Sequence, residues 1–190
     1  YFSTSKLLKR HIGFVTSPTN YSRLQDQALS SGSASHVLDA STAYLYSETA
    51  AEEVFHYNPA AQIIVILRNP VTRAYSHYNM ARKYGKEKRT FFKAIQDESI
   101  LDRALWGIDE CYLELGDYQQ QLQRWTALFP KEQILVLFHE DLLTQPQNTI
   151  DLVCEFLEIP IKKLTEVSKA NTAEVPRSRL VSALLQGSLS

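Results

Sequence analysis

"IIVILRNPVTRAYSHY", residues 63–78, decides how the chain is read. The apolar residues Ile63 to Leu67 run without polar alternation. Such a run predicts a strand covered on both faces, as in a parallel sheet. Arg68-Asn69-Pro70 ends it, and Pro is favoured at the first position of a helix. A helix is therefore expected from Pro70 to about Lys83. Its apolar face would carry Val71, Ala74, Tyr75 and Tyr78, and its polar face Thr72, Arg73 and Ser76. An arginine at the end of a buried strand, beside a helix start, needs a chemical reason.

The pattern recurs downstream. "QILVLF" (133–138) predicts a second fully apolar strand, "HEDLLTQP" a turn, and Gln147–Leu157 a helix ending at Ile159-Pro160. Between the strands a short helix is expected over Phe91–Gln96, and residues 99–116 are ambiguous. Asp117 can cap a helix from Tyr118 to Phe129, whose Tyr118, Leu122, Trp125 and Phe129 share one stripe. Upstream, residues 1–35 are polar and irregular, with "SPTNYS" (17–22) and "LSSGSAS" (29–35) as loops. "HVLD" (36–39) is a short strand candidate. A helix over 47–57 has Thr49 and Glu52 at capping-box spacing. Strands alternating with helices predict an α/β fold with a mostly parallel sheet flanked by helices. The 190 residues suit one domain: an irregular segment 1–35, an α/β core 36–160 and a C-terminal segment 161–190 with helix-compatible "SRLVSALLQ".

Composition narrows the function classes. A net charge of −1, with 44% hydrophobic and 22% charged residues, is that of a soluble globule without bulk attraction to nucleic acid. The longest apolar run falls far short of the roughly 20 residues a membrane span needs. Two cysteines, Cys111 and Cys154, do not support a disulfide framework. They read as buried thiols, compatible with a reducing compartment, and a cytoplasmic location is favoured. Histidines at 11, 36, 56, 77 and 139 lack metal-ligand spacing, so no metal site is expected. Trp106 and Trp125 read as core residues.

In open α/β sheets, ligands bind beyond the carboxyl ends of the strands. Arg68 occupies such an end, and the following helix aims its N–H groups and positive dipole end at the same crevice. With the Ser76 hydroxyl further along the polar face, the donors suit a phosphate. The competing reading is an arginine bridging to a nearby carboxylate, with Ser76 merely exposed. The residues alone leave both open.

"VILRNPVTRAYSHY" resembles the 3′-phosphate-binding segment of sulfotransferases that use 3′-phosphoadenosine 5′-phosphosulfate (PAPS). The resemblance implies that Arg68 and Ser76 grip the nucleotide's 3′-phosphate. "YNPAAQ" ahead of that segment, "FFKAI" (91–95), "YLELGDYQQQLQRWTALFPKEQILVLFHEDL" (112–142) and "FLEIP" (156–160) follow the family's order and spacing. "NTAEVPRSRL" (171–180) is similar to the family's C-terminal nucleotide-contacting segment, which adds Arg177 and Ser178; a solvated basic turn is the alternative. Gly116 and Tyr118 match a G-x-Y near the cofactor, against a turn glycine and a packing tyrosine. Asp39 and Ser41 stand where relatives carry acceptor-side residues, against a turn residue and a cap. The basic "RKYGKEKR" (82–89) either steers an anion or forms a solvated helix end. His139, Glu140 and Asp141 read as a turn and helix cap rather than a catalytic dyad.

The family fold is related to that of P-loop kinases. Its chemistry moves a sulfonate group from PAPS to a hydroxyl or amine, here on a small-molecule or glycan acceptor, without a metal. The family's P-K-x-G-T-T loop is not in the chain, and the six glycines never cluster. Tyr1-Phe2 matches the tail of a K-E-x-x-Y-F segment that carries the usual base. The catalytic base and the 5′-phosphosulfate loop are therefore expected upstream of Tyr1, in an N-terminally incomplete domain that holds the 3′-phosphate half. The alternative is an inactive nucleotide-binding or scaffolding module. A nucleotide kinase lacks support, since no GxxxxGK motif occurs. The oligomeric state is open.

Overall fold

A computed structural model describes residues 18–30, 36–98 and 111–165. Arg177, Ser178, Trp106 and the expected C-terminal helix lie outside them. In chain order the elements are α1 (Pro18–Leu29), α2 (Ala50–Tyr57), β1 (Ile63–Leu67), α3 (Pro70–Lys83), α4 (Phe91–Glu98), α5 (Tyr118–Thr126), β2 (Ile134–Phe138), α6 (His139–Thr144) and α7 (Pro146–Phe156). Short 3-10 turns cover Glu114–Gly116 and Lys131–Gln133. β1 and β2 pair in parallel, Ile63 opposite Ile134 through Leu67 opposite Phe138. The fold is open α/β, as the alternation predicts.

Several expectations change. From Pro18 on, "SPTNYS" is not a loop but the start of α1. Pro18 sits at the first position, and the Arg, Leu, Gln and Ala that follow Ser22 are good helix formers. "HVLD" forms no strand; Leu38 is 82% exposed, and an apolar pair is too short to bury a face. "HEDLLTQP" is not a bare turn but contains α6. The strands are not covered on both faces: Val65, Leu67 and Leu137 are buried, but Ile66 and Phe138 are 53% and 51% exposed. Among the described residues the sheet has two strands, so each is an edge.

The described residues group into two compact units. One takes in 36–61 and 119–130 together with α1. Its buried residues include Tyr46, Ala50, Ala51, Trp125 and Phe129. Phe129 stacks on Trp125 with centroids 5.8 Å apart and meets Phe55 edge-on at 5.3 Å. Arg124 Nη2 donates to the Tyr46 carbonyl at 2.9 Å. The α2 cap differs from expectation. Thr49 makes no side-chain cap bond; Ser47 Oγ accepts from the Ala50 N–H at 3.2 Å. Ser47 is buried, so its hydroxyl is held where the orphan N–H points.

The second unit takes in 62–98, 111–118 and 131–165. Its core joins Ala74, Tyr78, Ala81, Ala94 and Tyr112, flanked by Phe91 and Ile95. The buried stripe of α3 is therefore 74, 78 and 81, at helical spacing. Val71 and Tyr75, expected on that face, are exposed, and Arg73 and His77 are half-buried instead. Aromatic packing turned the helix: Tyr112 meets Tyr78 at 6.0 Å and His77 at 5.0 Å, both edge-on.

Candidate functional site

β1 and β2 end in step, because Leu67 pairs with Phe138. The residues that follow, Arg68-Asn69 and His139-Glu140, thus emerge side by side. Asn69 organises the turn. Its Oδ1 accepts from the N–H groups of Val71 at 3.0 Å and Thr72 at 3.2 Å. Its carbonyl accepts from the Arg73 N–H at 2.9 Å and the Thr72 hydroxyl at 3.1 Å. Its own N–H donates to Glu140 Oε1 at 3.1 Å.

The helix start therefore differs from expectation. Pro70 has no N–H, and the next three N–H groups of α3 are satisfied by Asn69. The capping side chain occupies the position an anion would otherwise take. An anion at this point would be held by side chains, with the helix dipole behind them.

Arg68 is half-buried at this point. Its Nε donates to Thr72 Oγ1 at 3.2 Å. Its terminal nitrogens make no hydrogen bond or ion pair with another described residue. Among the described residues the carboxylate bridge of the competing reading is not formed. Glu140, close enough to feel the Arg68 charge, gives its Oε1 to the Asn69 N–H. That bond, its own N–H, and the nearby His139 and Arg68 hold the Glu140 carboxyl below the usual range. Ser76 is exposed one turn beyond Thr72. Thr72 and Ser76 follow one another at four-residue spacing on α3, and Arg68 reaches that row from the strand end through its bond to Thr72. A planar fork with open donors, next to a hydroxyl, is the donor chemistry that suits a phosphate.

Arg73 departs from the polar face it was assigned. It turns inward, and its Nη2 donates to the Tyr112 carbonyl. Its Nε is buried without a hydrogen-bond partner among the described residues. Burial lowers the guanidinium's pKa, opposed by Tyr118, Glu98 and Cys111 and reinforced by Arg68. Tyr118 thus lies in the electrostatic neighbourhood of Arg73. The intervening segment is held firmly. The buried Glu98 carboxylate accepts from the N–H groups of Leu113 at 2.7 Å and Glu114 at 2.8 Å. A Cβ on Gly116 would stand 3.1 Å from Pro70 Cβ. Glycine is needed there for close approach to the start of α3.

Asp39 and Ser41 belong to the other unit. Asp39 Oδ2 accepts from the Tyr21 hydroxyl at 2.8 Å and the Tyr44 hydroxyl at 3.0 Å. Burial and the Asp39 carboxylate push the Tyr21 pKa up. Ser41 Oγ accepts from the Ala43 N–H at 3.4 Å. Asp39 is thus engaged by α1 as well as by its own turn, and Ser41 within its own turn. Among the described residues no group of His, Cys, Asp or Glu could hold a metal ion, and no helix is long and apolar enough to cross a membrane.

A family model described as the sulfotransferase domain matches residues 48–184. The chain belongs to the sulfotransferase domain family. It is 32% identical over 133 residues to the bifunctional heparan sulfate N-deacetylase/N-sulfotransferase 2 of Homo sapiens, covering 68% of this chain and 15% of that protein. It is 30% identical over 127 residues to the human heparan sulfate glucosamine 3-O-sulfotransferase 5, covering 65% of this chain and 36% of that one. The chain thus spans well under half the length of either relative. A sulfotransferase from Alicyclobacillus acidocaldarius superposes with a TM-score of 0.75 at 24% identity, over 90% of this chain and 72% of that one. That likeness establishes the sulfotransferase fold.

Sequence reasoning missed Thr72, Asn69 and Glu140 as parts of one arrangement. Asn immediately before Pro at a helix start is a cap signal. Sliding the two apolar runs into register would have set position 69 against 140.

Proposed function

We infer that the chain is part of an enzyme that moves a sulfonate group from PAPS to a hydroxyl or amine of a glycan, with Arg68 and Ser76 holding the nucleotide's 3′-phosphate. Membership of the sulfotransferase family supports the reaction class. The relatives' names, N-sulfotransferase and glucosamine 3-O-sulfotransferase of heparan sulfate, support a glycan amine or hydroxyl as acceptor. The observation that carries the nucleotide site is the Arg68 guanidinium. It is braced through Nε on Thr72, and among the described residues its terminal nitrogens are open, at the carboxyl end of a parallel strand.

PAPS would supply the activated sulfonate group. The residues described here would bind and orient the nucleotide rather than react with it, and fixed orientation lowers the barrier to transfer. Arg68 would take two phosphate oxygens through its planar fork, and Ser76 would donate a third bond. Tyr118, and Arg177 and Ser178 from the C-terminal segment, would complete the nucleotide's surroundings.

Calorimetry with 3′,5′-adenosine bisphosphate tests the site. Arg68→Ala removes a charge-assisted contact worth about 1.5–3 kcal/mol. The dissociation constant should rise roughly 10- to 150-fold. An unchanged constant sinks the assignment of Arg68. Transfer of radiolabelled sulfonate from PAPS to a glucosamine-containing glycan tests the reaction.

A further inference from the structure

Glu140 stands apart from the phosphate donors, yet it is tied to them. It comes 71 positions after Asn69 in the chain, and its Oε1 takes the Asn69 N–H at 3.1 Å. That N–H belongs to the Arg68–Asn69 peptide, which is planar and nearly rigid. Holding the N–H therefore fixes the plane from which the Arg68 side chain departs. The constraint continues along a chain of bonds. Asn69 directs the Thr72 hydroxyl through its carbonyl, and the Thr72 oxygen accepts the Arg68 Nε. Backbone, hydroxyl and guanidinium are thus set in sequence, starting from a carboxylate on the neighbouring strand end.

The carboxylate is also placed so as not to consume the donor it positions. It makes no ion pair with Arg68, whose terminal nitrogens are left open among the described residues.

We propose that Glu140 is a positioning residue for nucleotide binding: its bond to the Asn69 N–H locks the Arg68–Asn69 peptide so that the Arg68 fork faces the 3′-phosphate. The proposal rests on the reading of Arg68 as the 3′-phosphate ligand. It assigns the effect to the hydrogen bond, not to the charge. A Gln side chain keeps an acceptor oxygen at the same reach. An Asp side chain keeps the charge but falls one methylene short.

The test is calorimetry of the folded 190-residue chain with 3′,5′-adenosine bisphosphate and with 5′-adenosine monophosphate, which lacks the 3′-phosphate. Glu140→Ala and Glu140→Asp should each weaken the bisphosphate about 3- to 10-fold. Both should leave the monophosphate unchanged. Glu140→Gln should bind the bisphosphate as well as the parent or better, because it removes a negative charge near the anion. In an Arg68→Ala background, Glu140→Ala should add nothing.

If Glu140→Ala fails to fold, the Asp and Gln variants decide alone. A tight Asp variant with a weak Gln variant overturns the proposal in favour of charge. Equal losses for both nucleotides overturn it in favour of a general structural role. Arg68→Ala weakening the bisphosphate while all three Glu140 variants match the parent removes Glu140 and leaves Arg68 standing. An unaffected Arg68→Ala removes both.

Discussion

At the scale of single residues, Arg68 acts through what braces it. The Nε bond to Thr72 leaves a planar fork at a defined angle, and holding a guanidinium still lowers the entropy lost when an anion arrives. Thr72→Val keeps the shape and removes the hydroxyl. It should weaken 3′,5′-adenosine bisphosphate about 2- to 10-fold, the worth of one hydrogen bond. Thr72→Ser should restore most of that affinity in the same titration. Arg68 was legible in the sequence because a charge ended an apolar run. The brace was not, because helical periodicity places Thr72 on a face but says nothing of which rotamer its neighbour adopts. Arg73 shows the same limit. Its polarity suggested the solvent face, yet its bond to the Tyr112 carbonyl holds it inside.

At the scale of elements, the start of α3 and the end of α7 carry opposite lessons. Asn69 satisfies two helix N–H groups with one side-chain oxygen. Asn69→Ala should cost about 1–2 kcal/mol of stability, read as a shift in the urea midpoint. It should also loosen the Arg68 turn and weaken the bisphosphate. After α7, Glu158 adopts φ 54, a left-handed conformation that suits glycine. The Ile159 N–H closes back on the Cys154 carbonyl at 2.9 Å, so the conformation is held by the helix end. Glu158→Gly should stabilise the chain by roughly 0.5–1 kcal/mol, visible as a higher Tm without change in nucleotide affinity. The extents of α3, β1 and β2 were readable from periodicity and from Pro70 and Pro130. The start of α1 was not, because Ser, Pro and Asn signal loops and helix starts alike.

At the scale of the whole molecule, charge is sorted by burial in a way the sequence conceals. "RKYGKEKR" reads as a basic surface with one acid in it. In the fold Glu87 is buried and becomes a hub. It accepts from Arg89 Nη2 at 2.7 Å, Arg89 Nε at 2.9 Å, the Lys88 N–H at 2.8 Å and the Tyr112 hydroxyl at 3.0 Å. Arg89 above all, with Tyr112 adding to it, pulls the carboxyl from its ordinary value of 4.5 down to about 2. A depressed carboxylate stabilises the fold above its unfolded pKa and loses that contribution as it is protonated. Glu87→Gln should cost about 3 kcal/mol at neutral pH, since it removes the charge of the buried Glu87 pair and leaves Arg89 its longer pair with Asp97. The gap between parent and variant should narrow as pH falls from 4.5 toward 2, measured by denaturant titration at stepped pH. A constant gap across that window would show that Glu87 does not titrate with folding.

What the sequence determined by itself was local in origin. Two unbroken apolar runs, each followed by a helix, specify parallel strands with helical crossovers, and a charge ends the first of them. The segment around Arg68 also carried the family. What only the tertiary structure decided was the partner of each polar group. Glu140 meets Asn69 from 71 positions away and Tyr112 meets Glu87 from 25 away. Periodicity reports which face a residue occupies within its own element. Which distant atom stands opposite it depends on strand register and on how aromatic side chains turn a helix, and those are set only when the elements pack.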